Sequence, residues 1–261
     1  MGVETQTVLA IYLYGFTLPE LIPPTVLGID NEHSISVHCC ANLNAIISTT
    51  ALADFTGELG ETNLQNVAWL TPRAYRHAQV IDQCMEQGAV YPLSFGTLFS
   101  SIDALEQEIH RRAAEVKAVL KHITGCQEWA LESTLDRKQA VDTLLADGLS
   151  SGRFSLPDSV GRRHLEEQKL RRRLTADLND WLVECLTTLQ AELQPFMRDF
   201  RVRRLVDDKI VNWAYLLPVE QAEGFRQQVE DISHRYEVYG FNFRITGPWA
   251  AYSFCQPATS S

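Results

Sequence analysis

An α+β fold in two domains is predicted by two observations. Apolar residues alternate in some segments and recur at 4-3-4 spacing in others, the periods of half-buried strands and of amphipathic helices. One helix-strand plan also occurs twice, each time closing on a Gly among large aromatics. The two blocks are Tyr91-Pro92-Leu93-Ser94-Phe95-Gly96-Thr97-Leu98-Phe99 and Gly247-Pro248-Trp249-Ala250-Ala251-Tyr252-Ser253-Phe254. With 261 residues, 45% of them apolar and 21% charged, the chain can fill two cores of ordinary composition.

In the first half, residues 7–14 read as a strand, 26–30 and 35–39 as a hairpin, and 43–48 as a further strand. Another apolar strand is expected over 67–70. Thr71-Pro72 then supplies a cap and a first-position proline for a helix, with Ala74, Ala78, Ile81 and Met85 on one face and Gly88 to end it. A strand over 90–95 leads into the first aromatic block. Ser101 caps the next helix, which carries Ile102, Leu105, Ile109, Val116, Leu120 and Ile123 and runs to a boundary near Thr124-Gly125. Strands are in excess in this half and a first crossover helix is missing.

The second half opens with a strand over 127–135, followed by a loop rich in Asp, Gly and Ser over 147–157. A helix over 158–193 carries Leu174, Leu178, Trp181, Cys185 and Leu189 on one stripe. At 1.5 Å per residue it would span roughly 50 Å, so a bend or break is expected. Strands over 200–206 and 209–217 form a hairpin about Asp207-Asp208. A helix from Val219 buries Phe225, Val229, Ile232 and Tyr236, and a last strand over 239–246 alternates Phe241, Phe243 and Ile245. The order β-α-β-β-α-β is the split-βαβ or ferredoxin-like arrangement. The expectation is therefore a modified ferredoxin-like domain with a connecting helix over 1–124. A ferredoxin-like domain with a long helix and an aromatic C-terminal tail follows over 125–261.

A formal net charge of −10 argues against a general nucleic-acid binder, which needs a basic footprint, and against an anionic membrane surface. No apolar run reaches the length of a membrane span. Met1-Gly2-Val3-Glu4-Thr5-Gln6 lacks the features of a signal peptide, and Gln6 stands where myristoylation needs Ser or Thr. The chain reads as cytoplasmic. Its six cysteines show no paired spacing and read as small buried hydrophobes.

His33, His38, Cys39 and Cys40 are the one dense group of metal-ligand types. Alternation puts His38 and Cys40 on one strand face, but zinc needs three or four donors and no second pair with finger spacing completes them. His77 falls on the polar side of its helix and reads as solvated. Neither a nucleophile elbow nor a phosphate loop occurs, since Gly148–Gly152 leads into Arg153. Asp207-Asp208 and Glu166-Glu167 read as solvated pairs, and Arg171 is placed to meet Glu167 one turn before it. Tyr239-Gly240-Phe241-Asn242-Phe243 matches an RNA-stacking motif weakly, without its basic first residue.

The two aromatic blocks, with Tyr12-Leu13-Tyr14-Gly15 opening the pattern, resemble the signature blocks of the GvpL/GvpF family of gas vesicle proteins. Ser94 replaces the family's usual Arg, and Ala250-Ala251 its usual prolines. The resemblance runs from about Leu9 to Phe254. It implies a non-enzymatic accessory protein of gas vesicle assembly, without metal or cofactor. Its implied partners are the hydrophobic shell subunit GvpA and other accessory proteins, and its implied place is the gas vesicle. Phe95, Phe99, Trp249, Tyr252 and Phe254 are the candidate partner-binding residues, because exposed aromatics mark interaction sites. The rival is a ferredoxin-like enzyme or ligand-binding protein using His38, Cys40 and His77; RNA binding is a further alternative.

Overall fold

The computed structural model describes residues 7–255 as an α+β chain with two antiparallel sheets. The readings of Met1–Gln6 lie outside these residues. Two compact units divide the chain: one runs to Glu128 and resumes at Pro248, and the other is Trp129–Gly247. The segment from Pro248, read from sequence as the tail of the second domain, thus packs in the first unit.

The first unit's strands are β1 (Leu9–Thr17), β2 (Ser36–Cys40), β3 (Leu43–Ala51), β4 (Val90–Pro92) and β5 (Leu98–Phe99). Their spatial order is β2-β3-β1-β4, with β5 also paired to β1. From Tyr12 to Thr17 every residue of β1 is buried, as a central strand covered on both faces should be. β2 does not pair with residues 26–30, of which only Leu27 makes a bridge, to Ser34. Instead Cys40 lies opposite Leu43 across the two-residue turn Ala41-Asn42. Both turn residues are left-handed, with φ of 50° and 57°, which matches the twist of a tight hairpin. Sequence reasoning missed this turn because Ala carries no signal for that conformation.

Before the chain leaves this unit it adds the helices α1 (Gly57–Gln65), α2 (Val67–Met85) and α3 (Ile102–Ile123). The strand expected over 67–70 is the first turn of α2. Asn66 sets that start, its side chain accepting from the Ala68 amide at 3.0 Å, and Pro72 lies inside the helix. The buried face of α2 is His77, Val80, Ile81 and Cys84, while Ala74 and Ala78 are exposed. Ser101 caps α3 as expected, accepting from the Ala104 amide at 3.1 Å.

The second unit contains most of β6 (Cys126–Leu135), then α4 (Arg137–Ser150), α5 (Val160–Leu193), β7 (Asp199–Val202), β8 (Lys209–Pro218), α6 (Ala222–Tyr236) and most of β9 (Phe241–Trp249). Its sheet order is β7-β8-β6-β9. Counting each unit's first four strands in chain order, both sheets read 2-3-1-4 in space. In the first unit a loop replaces the helix of the first crossover; in the second, α4 and α5 both occupy it. α4 has no counterpart in the sequence reading, and α5 is one uninterrupted helix rather than a broken one. Trp129, Leu131, Trp213, Tyr215 and Leu217 from the strands bury against Leu189 and Leu193 of α5 and Phe225, Val229 and Ile232 of α6.

Candidate interaction surface

Both aromatic blocks end in the first unit, where they meet. The first block turns the chain between β4 and β5 while staying tied to β1: the Leu93 amide donates to the Tyr14 carbonyl at 2.9 Å, and the Leu13 amide to the Thr97 carbonyl at 2.9 Å. Gly96 makes the turn at φ 84°, a conformation that other residues adopt at a cost. Its amide donates to the Tyr12 hydroxyl at 3.1 Å. The second block leaves β9 and closes with the short helix α7 (Tyr252–Cys255), burying Ala250, Ala251, Phe254 and Cys255.

His77 joins the two blocks. Its Nδ1 lies 2.9 Å from the Tyr12 hydroxyl, and its Nε2 lies 3.2 Å from the Tyr252 hydroxyl. Burial holds His77 well below the ordinary histidine value, at about 4, with the Leu93 carbonyl partly opposing that effect. Burial likewise lifts Tyr252 to about 12, and Tyr12 further still despite the Gly96 amide. The network is therefore neutral at pH 7, and both imidazole nitrogens are engaged. The expectation that His77 is solvated is overturned: it is 4% exposed, because two tyrosines satisfy it.

Further contacts hold the blocks together. Tyr91 donates to the Cys255 carbonyl and accepts from Arg112 at 2.6 Å. The Glu128 carboxylate, 1% exposed, accepts from the Ser253 amide at 2.8 Å and the Ser253 hydroxyl at 2.9 Å. Around His77, Phe95 packs against Tyr12, Phe55 and the imidazole at centroid distances of 6.2, 5.9 and 6.0 Å.

The five candidate contact residues are thus placed differently. Phe254 is buried, Phe95 and Tyr252 pack on the core around Tyr12 and Tyr14, and Phe99 is half-buried on β5. Trp249 is the exposed member, at 49%. Ser94, in the usual Arg position, is exposed and its carbonyl accepts from the Thr97 hydroxyl.

Other exposed apolar side chains stand on α1 and α2. Leu59 and Leu64 of α1 and Val67 and Tyr75 of α2 are 54%, 42%, 73% and 68% exposed. Ala74 and Ala78 extend the side of α2 on which Val67 stands. Sequence reasoning missed this face because it assigned 67–70 to a strand and Ala74 and Ala78 to the core. The signal was present: α2 carries apolar residues on two sides, one more than a single core needs.

Of the rival site, His38 pairs with Glu106 and Cys40 approaches His110, whereas His77 bonds Tyr12, Tyr252 and the Leu93 carbonyl. Arg171 meets Glu167 at 3.1 Å, as its spacing requires, and also Asp142. No helix among the described residues is long and apolar enough to cross a membrane.

Fold and contacts together define a two-sheet α+β protein whose aromatic signatures build one neutral centre in its first unit. A profile of the gas vesicle synthesis protein GvpL/GvpF family matches residues 10–256, and the chain belongs to that family. Gas vesicle protein F of Nostoc sp. strain PCC 7120 is similar at 22% identity, over 94% of this chain and 98% of its own. Gas vesicle protein L of Streptomyces sp. strain CB03234 is 24% identical over 93% and 91%. Crystal structures of GvpF share the fold. That from Anabaena sp. PCC7120 superposes with a TM-score of 0.70 at 20% identity, covering 97% of this chain and 98% of its own. That from Microcystis aeruginosa gives 0.67 at 21%, covering 95% and 99%. The family places this chain in a gas vesicle-related role.

Proposed function

We propose that this protein is a non-catalytic accessory factor of gas vesicle assembly. In the cytoplasm it binds the shell subunit GvpA, limits its aggregation, and releases it to the nascent vesicle. The observation that carries this reading is the exposed apolar side of α1 and α2, in a chain whose net charge of −10 keeps it dispersed. A subunit whose face must exclude water aggregates while unassembled, and a dispersed protein offering its own apolar side chains delays that outcome. Affinity has to be moderate, since the subunit gains more by joining the shell.

The test is co-purification with GvpA, together with light scattering of GvpA refolding beside an equimolar amount of this protein. Exchanging Val67 and Tyr75 for Ser costs little folding stability, because both are exposed. The exchange should weaken binding about tenfold or more, since a buried interface anchor is worth about 2 kcal/mol. Trp249→Ser tests the second block by the same assay. If the intact protein neither retains GvpA nor lowers its scattering, the proposal fails.

A further inference from the structure

Two elements of the first unit set four metal-ligand side chains in two facing pairs, although no three of the four donor atoms lie within 4.8 Å of one another. His38 and Cys40 are two residues apart on β2 and share one strand face. Glu106 and His110 are one turn apart on α3 and share one helix face. They oppose each other in pairs: His38 Nε2 is 2.9 Å from Glu106 Oε1, and Cys40 Sγ is 3.6 Å from His110 Nε2. The second distance has a specific meaning. Sulfur and nitrogen at about 2.3 and 2.1 Å from one tetrahedral zinc stand about 3.6 Å apart. β2 is the outer strand of its sheet, so the cluster lies at an edge that an ion can reach.

We propose that His38, Cys40, Glu106 and His110 form a site for one borderline divalent transition-metal ion, with zinc as the best match to the donors. Two imidazoles, a thiolate and a carboxylate suit zinc or cobalt and disfavour magnesium and calcium. Each pair satisfies itself without an ion, so the fold does not wait on metal. Binding draws the pairs together by side-chain rotation, with His38 and Glu106 parting slightly to share the ion. As the S–metal bond forms, the Cys40 thiol gives its proton to solvent. Cys39 faces elsewhere, its thiol donating to Asn44 Oδ1 at 2.9 Å. The acidic trio Asp30, Glu32 and His33 is more tightly clustered, but a turn accounts for it: Asp30 accepts from the Glu32 and His33 amides and pairs with the His33 ring.

Cobalt(II) titration of the full chain, followed by zinc competition, tests the site. One cobalt per chain is expected, with a thiolate-to-cobalt charge-transfer band that zinc removes. Cys40→Ser should abolish the band, and Cys40→Ser, His110→Ala and His38→Ala should each weaken binding about tenfold or more. Cys39→Ser should change neither. Melting curves matched to the parent protein show that the variants are folded. Binding without a thiolate band, a band lost in Cys39→Ser instead, or equal affinity in all the variants would overturn the proposal.

Discussion

His77 shows how a single residue can be read correctly in chemistry and wrongly in place. Its position among Arg76, Ala78 and Gln79 suggested the wet side of a helix. The protein instead buries it between Tyr12 and Tyr252, partners 65 and 175 residues away in sequence. Such a bond leaves no local signal, whereas the tyrosines announced themselves through the signature blocks. The consequence is a defined acid response. His77 titrates at about 4 in the folded protein against about 6.5 when unfolded. Between those values the unfolded chain binds the proton and the folded one does not, so stability is full above pH 6.5 and falls as pH drops toward 4. The loss attributable to this ring is on the order of 3 kcal/mol across the window. His77→Gln, which hydrogen-bonds without titrating, should lower stability at pH 7 yet flatten the acid limb between pH 6.5 and 4. Urea unfolding of both proteins across that range measures it; parallel slopes would refute the assignment.

Among the elements, those with one clean periodic stripe were legible and those with two competing patterns were not. α6 is the clear success: Phe225, Val229 and Ile232 are buried as the spacing required. In α2 the 4-3-4 rule fitted two stripes, and burial chose the one containing His77. α4 escaped notice because its apolar residues are interleaved with Asp142, Asp147 and Gly148, which reads as loop. What anchors α4 is Asp136, whose side chain accepts from the Lys138 and Gln139 amides at 2.9 and 3.0 Å. Gly240 fits against this cap. It stands at φ 82°, and a Cβ there would come within 2.8 Å of the Asp136 carbonyl oxygen. Gly240→Ala therefore combines left-handed strain with a clash against backbone, together roughly 2–4 kcal/mol. A lower urea midpoint at unchanged slope is the expected result. An unchanged midpoint would mean that the cap has room to move.

At the scale of the whole molecule, the repeated plan in the sequence corresponds to a shared strand order, 2-3-1-4 in both sheets. What no periodicity could show is that the second aromatic block rejoins the first unit. That fact depends on Glu128 meeting Ser253 and Tyr91 meeting Cys255, contacts spanning 125 and 164 residues. The candidate surface was legible only as a class, exposed apolar side chains, while its position on α1 and α2 was not. A chain ended after Gly247 should keep the strands of the second unit protected from hydrogen exchange. It should lose protection in β1 and α2, because His77, Tyr91 and Glu128 are left without their C-terminal partners. Equal protection of β1 in the shortened and intact chains would show that the segment is ornamental.

This return of the chain also sets a timetable for synthesis. About 120 residues separate Glu128 from Pro248, which at roughly 5–20 residues per second means a delay on the order of ten seconds on the ribosome. Throughout that interval the first unit has its sheet and helices but lacks the piece that closes its centre. A nascent or prematurely ended chain thus shows no finished first unit, and the apolar side of α1 and α2 stands on an unsettled base. The centre of the first unit closes only with the final aromatic block, so it is the last part of the protein to be completed during synthesis.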